Sequence, residues 1–135
     1  MSVWRLIVVA FVLAGCRSAP ASDSSPDMSA GFGPAEDVVK RFFGAAETGD
    51  CATLGKILVL PDAGTFTPEA CEGITHDFSE SKTHLLRIVE SKVDGRDKSV
   101  VLVSTDVEFK KKKTGDVHQW VIRAEWRNGV WKVRF

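Results

Sequence analysis

Two periods of apolar residues divide the chain. Between residue 34 and about residue 79 they recur at three and four positions, and from residue 83 onward at two. The first stretch opens on Gly33-Pro34-Ala35-Glu36, a proline at the first helical position with an acid in the first turn. Val38, Val39, Phe42, Phe43 and Ala46 then share one helical face, and Gly49 ends the helix. Asp50 is placed to cap a second, shorter helix with Leu54, Ile57 and Leu58 on one side. After a loop at Pro61-Asp62-Ala63-Gly64, Thr67-Pro68 predicts a third helix to about Ser79, with Ala70, Ile74 and Phe78 on one face.

The period of two predicts strands. Residues 99–109 carry Val101, Val103, Thr105, Val107 and Phe109 on one face, and residues 117–127 carry His118, Trp120, Ile122, Ala124 and Trp126. Trp131, Val133 and Phe135 close the pattern. Asn128-Gly129 predicts a two-residue type I′ turn, because both residues tolerate positive φ. That turn places Trp126 opposite Trp131, Ala124 opposite Val133 and Ile122 opposite Phe135, so turn chemistry and side-chain pattern agree. For the preceding hairpin, a Thr114-Gly115 loop opposes Asp106 to Arg123 and a Gly115-Asp116 loop opposes it to Glu125; opposed charges favour the first. Residues 83–93 carry apolar side chains on both parities, so their register is not readable. Three helices followed by a four-stranded antiparallel meander is an α+β arrangement, with the N-terminal helices packed on the sheet.

The first 33 residues fit neither period. Arg5 precedes a nine-residue apolar run, Leu6 to Ala14, which is too short to cross a bilayer as a helix. Leu13-Ala14-Gly15-Cys16 resembles the bacterial lipobox at every position. The resemblance implies a signal peptide over residues 1–15, cleavage before Cys16, and acyl chains, palmitate among them, on its sulfur and amine. An ordinary cleaved signal with an incidental cysteine is the plainer alternative. Several acyl chains make a stable anchor. The residue after the cysteine is Arg17 and not aspartate, which favours the outer over the inner membrane. Of residues 17–33, 12 are Ser, Ala, Pro or Gly. Residues 16–33 therefore read as the lipidated cysteine and a flexible tether, spanning ~23 Å root-mean-square as a coil, and residues 34–135 as the one domain.

Composition narrows the function classes. The chain has 135 residues, with 18 basic and 18 acidic side chains, which argues against a nucleic-acid binder. It has no tyrosine, so no mechanism can use a phenol. It contains no Gly-rich phosphate loop, HExxH or GxSxG, and no internal repeat. With Cys16 acylated, Cys51 and Cys71 remain, and an even pair in an exported domain reads as a disulfide; free thiols or a metal pair are the alternatives, the last without CxxC or matched His spacing. The run Lys110 to Lys113 reads as a solvated hairpin end, with contact to anionic head groups as the alternative.

The stretch Ala35 to Phe43, with Ala46, Gly49-Asp50 and Leu54, resembles the opening of the nuclear-transport-factor-2-like superfamily, and Asn128 to Val133 is similar to its last hairpin. The resemblance covers essentially all of residues 34–135. It implies a cone-like roll, in which a curved sheet wraps the long helix and can leave a pocket between them. Relatives with lyase or isomerase activity use an Asp/His or a Tyr/Asp pair in that pocket. The tyrosine version is impossible here, and Asp106 lies on the opposite parity to His118; His84 with Asp77 is conceivable. His118, Trp120, Trp126, Trp131, Phe109 and Phe42 are the candidate pocket residues, as an aromatic wall for a small apolar ligand or simply as core.

These readings lead to an expectation: a lipid-anchored protein of the bacterial cell envelope, facing the periplasm or the surface. It acts as a non-enzymatic interaction or small-ligand-binding module, with no catalytic residue, metal or cofactor called for. The alternative is a small-molecule lyase or isomerase using the cone pocket. The expected partners are the membrane, through the acyl chains on Cys16, and a small apolar ligand or an envelope protein, and not nucleic acid. The outer sheet face interrupts Val100, Leu102, Val121 and Val130 with charges, including an exposed Glu125–Lys132 pair, so the domain is expected to be a monomer.

Overall fold

The computed structural model describes residues 25–29, 31–60, 64–110 and 116–135. The signal peptide, Cys16 and most of the tether lie outside the described residues, as do residues 61–63 of the first loop and Lys111 to Lys113. Three helices precede four strands: α1 (Gly33–Thr48), α2 (Cys51–Ile57), α3 (Pro68–Ser81), β1 (Thr83–Asp94), β2 (Asp97–Phe109), β3 (Asp116–Arg127) and β4 (Val130–Arg134). The strands form one antiparallel sheet in the order β1-β2-β3-β4, and the helices pack on one face of it. Within the segment read as a tether, Pro26 is buried and Met28 and Phe32 pack against the core, so packing begins before Pro34.

Local chemistry sets the helix ends. Gly49 adopts φ 72 and closes α1 in the left-handed conformation that favours glycine. Asp50 then caps α2, its carboxylate accepting from the Thr53 amide at 3.0 Å. Thr67 caps α3 by accepting from the Ala70 amide at 3.2 Å. The buried face of α3 runs through Cys71, Ile74 and Phe78; Ala70, read onto that face, is exposed. The reason is the Cys51–Cys71 disulfide, with Cα atoms 5.6 Å apart, which turns the helix so that Cys71 faces inward.

The β3–β4 register is as the turn chemistry requires, with Trp126 opposite Trp131 and Ala124 opposite Val133. The ladder stops at Arg123–Arg134, so Phe135 lies past its end and not opposite Ile122. The β2–β3 register differs from both predicted alternatives. Asp106 opposes Gln119, neither Arg123 nor Glu125, and the ladder ends at Phe109–Asp116. Six residues, 110–115, therefore separate the strands. A Thr114-Gly115 loop would instead have set Thr105 opposite Ala124 and Val107 opposite Ile122. The observed register keeps Val101 opposite Ala124 and Val103 opposite Ile122 on the core face.

β1 owes its unreadable pattern to bulges. The register shifts between Leu85 and Arg87 and between Ile88 and Glu90. The extra residues, Leu86 and Val89, are 46% and 45% exposed, while Leu85 and Ile88 pack against the core. Each bulge advances the inward position by three instead of two, which puts apolar side chains on both parities.

The disulfide closes a loop with a sequence separation of 20, worth ~3 kcal/mol in the chain-entropy account. Replacing Cys51 and Cys71 by alanine is expected to lower the unfolding free energy by about that amount in urea titration. An unchanged midpoint would show that the bridge contributes nothing.

Candidate functional site

α1 crosses the inner face of the sheet and presents Phe42 and Phe43, 0% and 1% exposed. Phe78 of α3 stands against both rings, at centroid distances of 5.8 and 5.9 Å. Trp120 of β3 meets Phe43 at 6.2 Å and Phe109 of β2 at 5.5 Å. The C-terminal Phe135 touches Phe42 at 4.8 Å and Trp120 at 6.0 Å, yet it is 61% exposed. The packing therefore does not close over at this end of the sheet. A cavity of about 490 Å³ opens between α3 and the sheet. Its apolar wall is Ile74, Phe78, Phe109, Trp120 and Phe135, and its polar lining is His76, Asp77, Glu80, Ser81 and Thr83.

The polar lining is ordered by hydrogen bonds. The Ser81 hydroxyl donates to the Asp77 carbonyl at 2.6 Å. Its oxygen is also hydrogen-bonded to the buried Thr83 hydroxyl, which then acts as the donor of that pair. Across the fold's interior, the fully buried Thr105 hydroxyl donates to the Trp120 carbonyl at 3.1 Å, holding β2 and β3 together beneath the aromatic wall.

Of the six residues read as a pocket, Phe109 and Trp120 line this cavity. Phe42 lies beneath it, buried in the core. His118 is exposed and stacks on Phe109 at 4.9 Å without lining the cavity. Trp126 and Trp131 meet edge to face at 5.4 Å, towards the β3–β4 turn, and do not line it. A continuous stripe of same-face aromatics thus splits in two, because the buried Ile122 and Ala124 intervene along β3. His84 does not meet Asp77. Its Nδ1 lies 3.1 Å from the Glu47 carboxylate at the last turn of α1. Asp106 is taken by Arg87 at 2.7 Å, away from His118. Among the described residues no group of three His, Cys, Asp or Glu side chains is placed to hold a metal.

The reading from sequence missed the contribution of α3. His76, Asp77, Glu80 and Ser81 flank Phe78 over the last two turns of that helix. Once Phe78 is assigned inward, the helical period alone puts its polar neighbours beside the same opening.

No protein-family model and no curated protein matches the chain. Among solved structures, a variant of the engineered protein Rd1NTF2_05 superposes with a TM-score of 0.55 at 12% identity, covering 74% of this chain and 92% of that one. An LEH-like epoxide hydrolase of M. tuberculosis gives a TM-score of 0.49 at 15% identity over 76% of this chain and 79% of its own. The chain has a nuclear-transport-factor-2-like fold. At these identities the likeness concerns the backbone, and the chemistry of the NTF2-like cone must be argued from its own side chains.

The outer face of the sheet holds a second polar cluster. Glu125, expected in an exposed pair with Lys132, does oppose Lys132 but is 3% exposed. Arg134 forks onto it, with Nε 2.6 Å from Oε1 and an Nη 3.2 Å from Oε2. Arg127 donates to Oε2 from two nitrogens, at 3.1 and 2.7 Å, and Arg123 lies 3.6 Å from Oε1. The short-range geometry favours arginine forks over a lysine, and their side chains cover the carboxylate. The Arg134 and Arg127 guanidinium groups hold its carboxyl at about 2, against an ordinary 4.5, with burial opposing. Because the folded value lies below the unfolded one, the carboxylate's contribution to stability is full above pH 4.5 and is lost as pH falls towards 2.

Glu125→Gln is expected to destabilise the fold by about 1–3 kcal/mol at neutral pH. It should also flatten the loss of stability in that acid window. Thermal unfolding across pH checks both, and a variant with the wild-type profile would contradict the assignment.

Proposed function

We propose that this chain is a lipid-anchored cell-envelope protein whose NTF2-like domain binds a small, largely apolar ligand in the cavity between α3 and the sheet. The observation that carries this reading is the cavity itself: about 490 Å³, with aromatic and aliphatic walls and a few polar groups at one side. That size and lining suit a small molecule whose apolar body displaces water from the rings and whose polar end meets the α3 side chains. The exposed Phe135 and the partly buried Trp120 are apolar surface that a ligand would cover. The envelope address rests on the apolar run and on Leu13-Ala14-Gly15-Cys16, with the domain acting as a monomer.

A second reading, a lyase or isomerase working in the same cavity, draws on His76, Asp77 and Glu80 in its lining. Non-enzymatic binding is preferred because His118, the histidine on the inward parity, stacks on Phe109 outside the cavity.

Titration with the neutral dye N-phenylnaphthylamine is expected to give saturable fluorescence. Trp120→Ala should weaken binding about tenfold, the effect of losing most of one buried aromatic contact. Trp126→Ala, which lies in the separate tryptophan pair, should bind as the wild type does. Absence of wild-type binding, or equal loss in both variants, would defeat the cavity reading. For the anchor, Cys16→Ser is expected to abolish acyl mass and to shift the chain out of the lipoprotein fraction. A wild-type chain without acyl mass would defeat that part alone.

A further inference from the structure

The outer face of the sheet is divided by charge, although the whole chain is neutral. At one end stand Arg123, Arg127, Lys132 and Arg134, with Glu125, Asp94 and Asp97 as the carboxylates near them. These three carboxylates match the three guanidinium groups in number, so the excess positive charge at this end is that of the lysines. Both Glu125 oxygens are already occupied, and the arginine side chains remain 42%, 53% and 39% exposed. Lys92 opposes Leu102 on the same face, and Lys98 shares parity with Val100; both lysines are exposed. The balance at this end is six basic side chains to three acidic. At the other end the face carries Glu90, Asp106 and Glu108 against Arg87 and Lys110.

The basic end coincides with the point where the N-terminal segment enters the fold. Glu36, in the first turn of α1, accepts from the Ser91 hydroxyl near the end of β1 at 2.7 Å. Glu47, in the last turn, meets His84 near the start of β1. α1 therefore begins beside the β1–β2 turn, where Asp94 holds Arg123 at 3.2 Å, and ends beside the cavity. Pro26, Met28 and Phe32 already pack on the domain, so the reach is set by residues 16–25; a coil of ten residues spans ~17 Å, more than the ~10 Å thickness of a packed sheet layer. It can bring the outer face of that end onto the surface that holds Cys16.

We propose that the basic end of the outer sheet face docks on the anionic phospholipid head groups of the membrane carrying the anchor, so that the cavity opens away from that membrane. The setting rests on the anchor reading, but the surface does not. Each basic side chain held near an anionic bilayer raises partitioning about fivefold, and salt removes the effect. Apolar or acyl anchoring is indifferent to head-group charge.

The test is sedimentation of the full chain with vesicles of phosphatidylcholine alone and with vesicles also containing phosphatidylglycerol. Wild type is expected to prefer the anionic vesicles at low salt and to lose the preference at high salt. The pair Lys92→Glu and Lys98→Glu, outside the Glu125 cluster, should reduce the preference at least tenfold with an unchanged thermal unfolding curve. Lys132→Gln should reduce it about fivefold. A triple change of Lys111, Lys112 and Lys113 to glutamate, between β2 and β3 in sequence, should leave most of it. Equal binding to both lipids, a preference kept by the β1–β2 pair, or one lost chiefly in the loop variant would overturn the proposal. Affinity for neutral vesicles reports the anchor separately, so failure of one reading leaves the other measurable.

Discussion

The structure depends on one contact surface, the Phe42–Phe43 face of α1 laid across the inner side of a four-stranded sheet. Both rings are buried, and they meet elements far away in sequence: Phe78 on α3, Trp120 on β3 and the terminal Phe135. Each of these burials removes a large apolar area from water, and edge and tilted ring contacts add direction. Val39 and Leu54 extend the same surface towards α2, and Val101, Val103, Val107 and Val133 supply the sheet side. Once the sheet curves round this helix, its two ends cannot be alike. Where Ile122 and Ala124 pack, the layers close; where Phe109, Trp120 and Phe135 stand, the rings leave a cavity.

Much of this was legible in the chain because it is governed by local rules. Gly49-Asp50, Thr67-Pro68 and Asn128-Gly129 each carry their own stereochemistry, and the elements they bound stand within about two residues of expectation. The two cysteines of the domain are joined as their export context suggested. What could not be read depends on non-local balance. The β2–β3 register matches Val101 to Ala124 and Val103 to Ile122, and no dipeptide signals that. The bulges at Leu86 and Val89 erase the alternation that would have revealed β1. The site was half legible. Phe109 and Trp120 share a readable face, but that face does not tell where a curved sheet parts from its helices, so Trp126, Trp131 and His118 were grouped with them.

Charge is organised on the opposite surface by the same curvature. Glu125 lies on the parity that faces away from α1, where a carboxylate would ordinarily be solvated, yet flanking arginines fold over it and bury it with Val100. The arrangement satisfies one acid with several bases, and the lysines leave positive charge at the sheet end where the N-terminal segment joins. The neutral sum over the chain conceals this. Cavity and basic face thus sit at opposite ends of α1, an arrangement suited to a tethered domain that presents a binding site outward.

The central claim is that the opening between α3 and the sheet is a binding cavity and that the second aromatic pair stands apart from it. The most direct measurement follows the indole N–H resonances of Trp120, Trp126 and Trp131 while a neutral apolar ligand is added to the folded protein. The account predicts a saturable shift of Trp120 alone, with the Trp126 and Trp131 signals in place. Shifts confined to Trp126 and Trp131, or spread equally over all of them, would contradict it.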